Sequence, residues 1–114
     1  ERIITKYVQL KIIMNLMQSL YLYVVLTMLF NKKHLQYLMY ANGIHEDWSC
    51  DPHHYVSRGQ GGPDHITNCV LIPRAWHDQF HFGDKAAIYP TITRLFKKQQ
   101  RNLQRYLKSN NFSL

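Results

Sequence analysis

The run Ser57-Arg58-Gly59-Gln60-Gly61-Gly62-Pro63-Asp64 packs three glycines and one proline into eight residues. Glycine weakens any regular element and proline removes a backbone donor, so no helix or strand crosses such a stretch. A loop is therefore imposed in the middle of the chain. Just before it lies His53-His54-Tyr55-Val56, and shortly after it Asn68-Cys69-Val70-Leu71-Ile72, two short runs rich in β-formers. Pro73 suits a first helical turn, and residues 74–82 contain no Gly or Pro. The order expected locally is strand, glycine-rich loop, strand, helix.

Five of the seven histidines fall between His53 and His81, and four of them form the pairs His53-His54 and His77/His81. His77 and His81 are four residues apart, so on a helix their rings share one face, as two ligands of one ion require. A lone histidine is ordinarily a surface or satisfied core residue; a His-His pair followed by helical H-x-x-x-H is a far rarer coincidence. Asp51 precedes His53 by two residues and shares its face on an extended segment. It either orients a ligand histidine or is an exposed loop carboxylate. Cys50 and Cys69 allow a rival Cys2His2 zinc centre with His53 and His77, although at irregular separations. Reduced thiols packed as small hydrophobes are the default for both. Asp64-His65 is read as loop, since too few residues separate it from Asn68 for it to lead a motif of its own.

His53-His54, Asn68, His77 and His81 together resemble the HNH endonucleases and their ββα-metal module. The likeness covers roughly residues 50–82, and His81 extends it to the all-histidine version of colicin-type nuclease domains. The stretch from His53 to Gly62 looks more like that of short phage HNH proteins than like a toxin. The resemblance implies that His53, His77 and His81 hold one divalent ion, that His54 is the general base, and that Asn68 braces the loop. It further implies hydrolysis of DNA phosphodiester bonds to 5′-phosphate and 3′-hydroxyl ends. A neutral imidazole, titrating near pH ~6.5, suits proton abstraction, and an ion acts as Lewis acid and template. Three imidazoles favour Zn, Ni, Co or Mn over Mg, which prefers oxygen ligands. Many family members carry two C-x-x-C pairs for a structural zinc. This chain has Pro73 and Trp76 where such cysteines often lie, so flanking helices and the packing of Trp76, Phe80 and Phe82 are expected to hold the module instead.

The charge balance fits a polyanionic partner: net +7 and a pI near 9.6 on 114 residues. Arg94, Lys97, Lys98, Arg101, Arg105 and Lys108 occur with no acidic residue among them, while Ile92, Leu95, Phe96, Gln99, Leu103, Tyr106 and Leu107 recur at helical spacing. This is a basic amphipathic helix, suited to a DNA backbone and also compatible with a solvated outer face or an anionic membrane surface. Arg58 in the loop and Arg74 at the helix start are candidates for phosphate contact, with ordinary surface charge as the alternative.

From Tyr7 to Phe30 the chain is dense in Leu, Ile, Met, Val and Tyr, but Lys11, Asn15, Gln18 and Ser19 interrupt it, and the longest apolar run is residues 20–30. A spanning helix needs about 20 largely apolar residues, so no transmembrane segment is expected, and no small-residue cleavage site marks a secretory signal. One or two buried helices are expected there, then a break at Asn31-Lys32-Lys33 and a helix over residues 34–42 capped by Gly43. The expected whole is a single α+β domain: a helical part over residues 1–44, a ββα-metal module over 45–83, and a basic C-terminal helix over 84–114. Its expected setting is the cytoplasm, as a phage-encoded or bacterial protein, and its main rival function is a catalytically silent HNH-fold subunit of a larger complex. So apolar an N-terminal helix must bury on several sides, which calls for a homodimer or a larger assembly. Light scattering at micromolar concentration is expected to give a mass above the monomer, and a monomeric mass would remove self-association.

Overall fold

The computed structural model describes residues 2–45 and 50–114, with side chains described at 5–18, 29–45 and 50–114. Residues 46–49, at the start of the expected central module, and the side chains of residues 20–28, in the longest apolar run, lie outside the described residues. The elements in chain order are α1 (Arg2–Leu29), α2 (Lys32–Ala41), β1 (Cys50–His54), two 3₁₀ turns at Arg58–Gln60 and Ile66–Asn68, β2 (Cys69–Pro73), α3 (Arg74–Phe82) and α4 (Lys85–Asn110). The molecule is a small mixed α+β domain.

β1 and β2 pair antiparallel, with His53 opposite Val70 and His54 opposite Cys69. Each strand is an edge of this two-stranded sheet, which is why Pro52 is tolerated inside β1. The two-residue period of a strand sends successive side chains to opposite faces, and the core divides accordingly. Cys69 and Leu71 join Phe30, Leu35, Leu38, Ile66, Leu103 and Leu107 on one face. Val70 and Ile72 join Ile88 and Ile92 on the other, with Trp76, Phe80 and Tyr55 packed against them. His53 therefore belongs to the α3 side of the sheet and His54 to the Phe30 side.

α4 supports both clusters and also completes the sheet's hydrogen bonding. Gln99 is buried, and its amide Nε2 donates to Leu71 O while its Oε1 accepts from Leu71 N, both at 2.8 Å. The next residue, Gln100, donates to Ile66 O and Cys69 O. A glutamine pair thus does for β2 what a third strand would have done. The helical spacing read from the sequence holds: Ile92, Gln99, Leu103 and Leu107 are buried, Leu95, Phe96 and Tyr106 half-buried, and Arg94, Lys97, Lys98, Arg101, Arg105 and Lys108 exposed. The Asp84 carboxylate caps α4 by accepting from Ala87 N at 3.1 Å. The helix runs through Pro90 in its second turn, forfeiting one bond to the Ala86 carbonyl.

Three expectations are corrected. The break after α1 is shorter than residues 31–33, because the Asn31 side chain accepts from His34 N and so starts α2 at Lys32. Phe82 does not help to hold the module; it is 80% exposed at the end of α3, where Trp76 and Phe80 point inward. The N-terminal segment is one continuous helix, and its described side chains at 5–18 are exposed rather than buried, with Tyr7, Leu10, Met14, Leu16 and Met17 all more than half accessible. A helix of that length extends about 42 Å at ~1.5 Å per residue, so it reaches beyond the body it starts from. The radius of gyration is accordingly 16.3 Å, against about 13 Å for a compact chain of this size. Among the described residues no helix is long and apolar enough to cross a membrane.

Gln99→Leu keeps the volume but orphans the Leu71 N–H and C=O inside the core. Each orphaned group is expected to cost about 1–3 kcal/mol, read as a lower urea midpoint; an unchanged midpoint would show that the glutamine pairing contributes nothing.

Candidate metal centre

β1 carries His53 toward α3, and the four-residue spacing on α3 stacks His77 and His81 on the face that meets it. Ligand atoms of these three histidines all lie within 4.8 Å of one another. The His77 and His81 Nε2 atoms are 2.9 Å apart, so one donates to the other's lone pair. The three rings are thus close enough to hold one divalent ion between them. His53 and His77 are buried and His81 is exposed, which leaves the centre open to solvent on the His81 side.

The electrostatics favour the neutral, ligating form of His53 and His81. Burial pushes His53 down to about 3, with His77 and His81 adding to the effect. His81 is lowered as well, by burial and then by His77. A neutral imidazole is what a metal ion binds. Behind the ring of His77 lies Asp51, whose Oδ2 is 3.1 Å from His77 Nδ1 and whose Oδ1 accepts from Arg74 at 3.2 Å. A hydrogen bond at Nδ1 leaves Nε2 as the nitrogen available to an ion, an arrangement common where a carboxylate lies behind a metal-binding histidine. Burial alone would raise the Asp51 carboxyl, but the hydrogen bonds from His77 and Arg74 outweigh it and hold it below the ordinary carboxylate value. Asp51 is buried against His77 and Arg74, so it is not an exposed loop carboxylate. Arg74 is tied to Asp51 at the back of the centre.

The glycine-rich loop is closed by Asn68. Its Nδ2 donates to Val56 O and Pro63 O, at 2.9 and 3.1 Å, and its Oδ1 accepts from Val56 N at 2.8 Å. One amide side chain thus ties both ends of the loop together. Gly62 is required there, because a Cβ would lie 1.8 Å from Val56 O. His54, the residue after His53, is buried under Phe30 with ring centroids 4.5 Å apart. Its Nε2 is 2.8 Å from Asp64 Oδ1, which is also ion-paired with Arg58, whose Nε lies 3.1 Å away.

The expected site residues thus fall into three places. His53, His77, His81, Asp51 and Arg74 form the centre itself; His54, Asn68 and Arg58 gather at the loop; and Arg94, Lys97, Lys98, Arg101 and Arg105 stand on the exposed face of α4. Asp64 and Lys85 escaped the reading of the sequence. Asp64 is a loop residue, as expected, but its carboxylate reaches back ten positions to His54, a contact that no periodicity announces. Lys85 opens α4 with its ammonium 4.6 Å from the Phe80 ring centroid, and its charge adds to the depression of His53 and His81. The Cys2His2 alternative loses support, since Cys69 packs into the Phe30-side cluster, on the opposite face of the sheet from His53. Comparison with protein-family models, curated proteins and solved structures gave no match.

Asp51→Asn removes the carboxylate behind His77, and the affinity for Zn or Ni in titration calorimetry is expected to fall about 10–100-fold. His77→Ala should abolish the site. Equal affinity in wild type and both variants, with thermal melts showing all three folded, would place the ion elsewhere.

Proposed function

We propose that this chain is a metal-dependent endonuclease of the HNH type, acting on DNA phosphodiester bonds. The observation that carries the reading is the convergence of His53, His77 and His81 within 4.8 Å at the junction of a strand pair and the following helix. His54, the adjacent residue on β1, is held by its own partners. This combination is what the ββα-metal resemblance requires.

A divalent ion, with Zn, Ni, Co or Mn better suited than Mg to three imidazoles, would supply charge neutralisation at the phosphate. The chain's own residues do the rest. His53, His77 and His81 hold the ion, and Asp51 keeps His77 turned toward it. His54 takes the proton of the attacking water. Asn68 holds the loop that carries Asp64 and Arg58 against His54. The exposed row Arg94, Lys97, Lys98, Arg101 and Arg105 contacts the DNA backbone, where phosphate neutralisation supplies affinity without reading sequence. The setting suggested by the resemblance is a bacterial cytoplasm, with the gene in a phage or its host.

A second reading is supported by the apolar side chains exposed along residues 5–18 of α1. A face of this kind suits docking onto another copy or a larger assembly, in which the chain would be a silent structural subunit that has kept the fold. The two readings separate on activity.

Plasmid DNA incubated with the chain after chelation and titration with Mg, Mn, Ni or Zn is expected to be nicked or linearised. His54→Ala is expected to lose at least about 100-fold in rate while still binding metal. Equal cleavage by both proteins points to a contaminant or another base; no cleavage by either, with metal bound, favours the structural subunit.

A further inference from the structure

Asp64 is joined to His54 across the whole glycine-rich loop, and the loop's shape does not depend on that contact. Asn68 ties residues 56 and 63 together, Gly62 N donates to Ser57 O at 2.9 Å, and Gly61 turns the chain with φ of 85°. The Asp64 carboxylate is thus delivered to the ring by a backbone braced independently. Its Oδ1 lies 2.8 Å from His54 Nε2, and Arg58 Nε holds the same oxygen at 3.1 Å from the solvent side. The ring cannot swing away, because Phe30 covers it and its side chain is only 6% exposed.

An aspartate carboxylate has no proton to give, so the hydrogen in this contact resides on His54 Nε2. In a neutral ring the lone pair is then on Nδ1. We propose that Asp64 is a positioning residue for His54: it fixes the Nε2–H tautomer, so that Nδ1 is the nitrogen that accepts the proton. The inference rests on the reading of His54 as general base and deepens it by naming the atom. In the step this implies, Nδ1 takes one proton from water, the hydroxyl oxygen bonds to phosphorus, and the P–O3′ bond breaks with the electron pair going to the 3′-oxygen. That oxygen takes a proton from solvent. The imidazolium so formed keeps its Nε2–H on Asp64, whose negative charge offsets the new positive one.

The test uses the full chain with ¹⁵N-labelled histidine. Nitrogen shifts of His54, taken where the ring is neutral, are expected to show Nε2 protonated and Nδ1 bare. In Asp64→Asn the amide N–H can donate to the ring, so part of the population should move to the Nδ1–H tautomer. With it kcat for DNA cleavage should fall about tenfold or more, with KM unchanged. Asp64→Glu, which restores a carboxylate, should recover the wild-type tautomer and part of kcat. A wild-type ring carrying its proton on Nδ1, a tautomer unmoved in Asp64→Asn, or wild-type kcat in that variant overturns the proposal. A wild-type chain that cleaves no DNA removes the nuclease reading and the named base atom with it, while the nitrogen shifts report separately whether Asp64 sets the tautomer.

Discussion

The carboxylate of Asp51 holds β1 against α3 from within, because it is 2% exposed and accepts hydrogen bonds from both His77 and Arg74 at the start of that helix. A charge buried to this degree is costly unless it is paired and hydrogen-bonded. The arrangement of α3 therefore has to keep both partners in reach, and in doing so it sets the roll of the helix. Once the roll is set, His77 and His81 face the strand and meet His53. The convergence of three imidazoles is a consequence of how one carboxylate is satisfied. The same contact takes Nδ1 of His77 and leaves Nε2 for His81, so the roll of α3 and the pairing of its two histidines rest on one interaction.

A sheet of two strands is marginal by itself, and with only Cys50 and Cys69 the sequence has no pair of C-x-x-C motifs to hold it through a structural zinc. Support comes from α4, which covers β2 with apolar side chains and supplies Gln99 to the unpaired N–H and C=O of Leu71. A helix that must present an amide at one fixed position cannot rotate, so its basic residues are also fixed on the outward face. Packing and the exposure of the charged row are two sides of one constraint.

The sheet's two faces separate what the three-histidine centre does from what His54 does. His53 enters the α3 side and is held neutral by burial among other imidazoles. His54, one residue on, turns to the opposite side, under Phe30 and against Asp64. Adjacent residues thus receive different environments without any bend in the strand. In the proposed nuclease this would let one ring serve as ligand and the next as proton acceptor, each with its own carboxylate: Asp51 for His77 in the centre and Asp64 for His54.

Local rules made much of this legible. The glycine-rich loop, the two β-rich runs, the i,i+4 histidines and the amphipathic α4 all follow from spacings within one element, which backbone geometry alone enforces. The same rules placed Asp51 and His53 on one face. They did not reveal that Asp64 reaches His54, since that contact joins residues ten apart through a loop whose path depends on Asn68. Nor did they show that Gln99 completes the sheet 28 positions from Leu71, or that the apolar residues of α1 at 5–18 stand in the open. Hydropathy says that a side chain gains by burial and not whether a partner surface lies within reach. The sequence by itself determined the elements and the faces of each; only the tertiary structure decided which faces meet, because pairing between distant elements depends on satisfying buried polar groups such as Asp51 and Leu71, which carry no periodic signal.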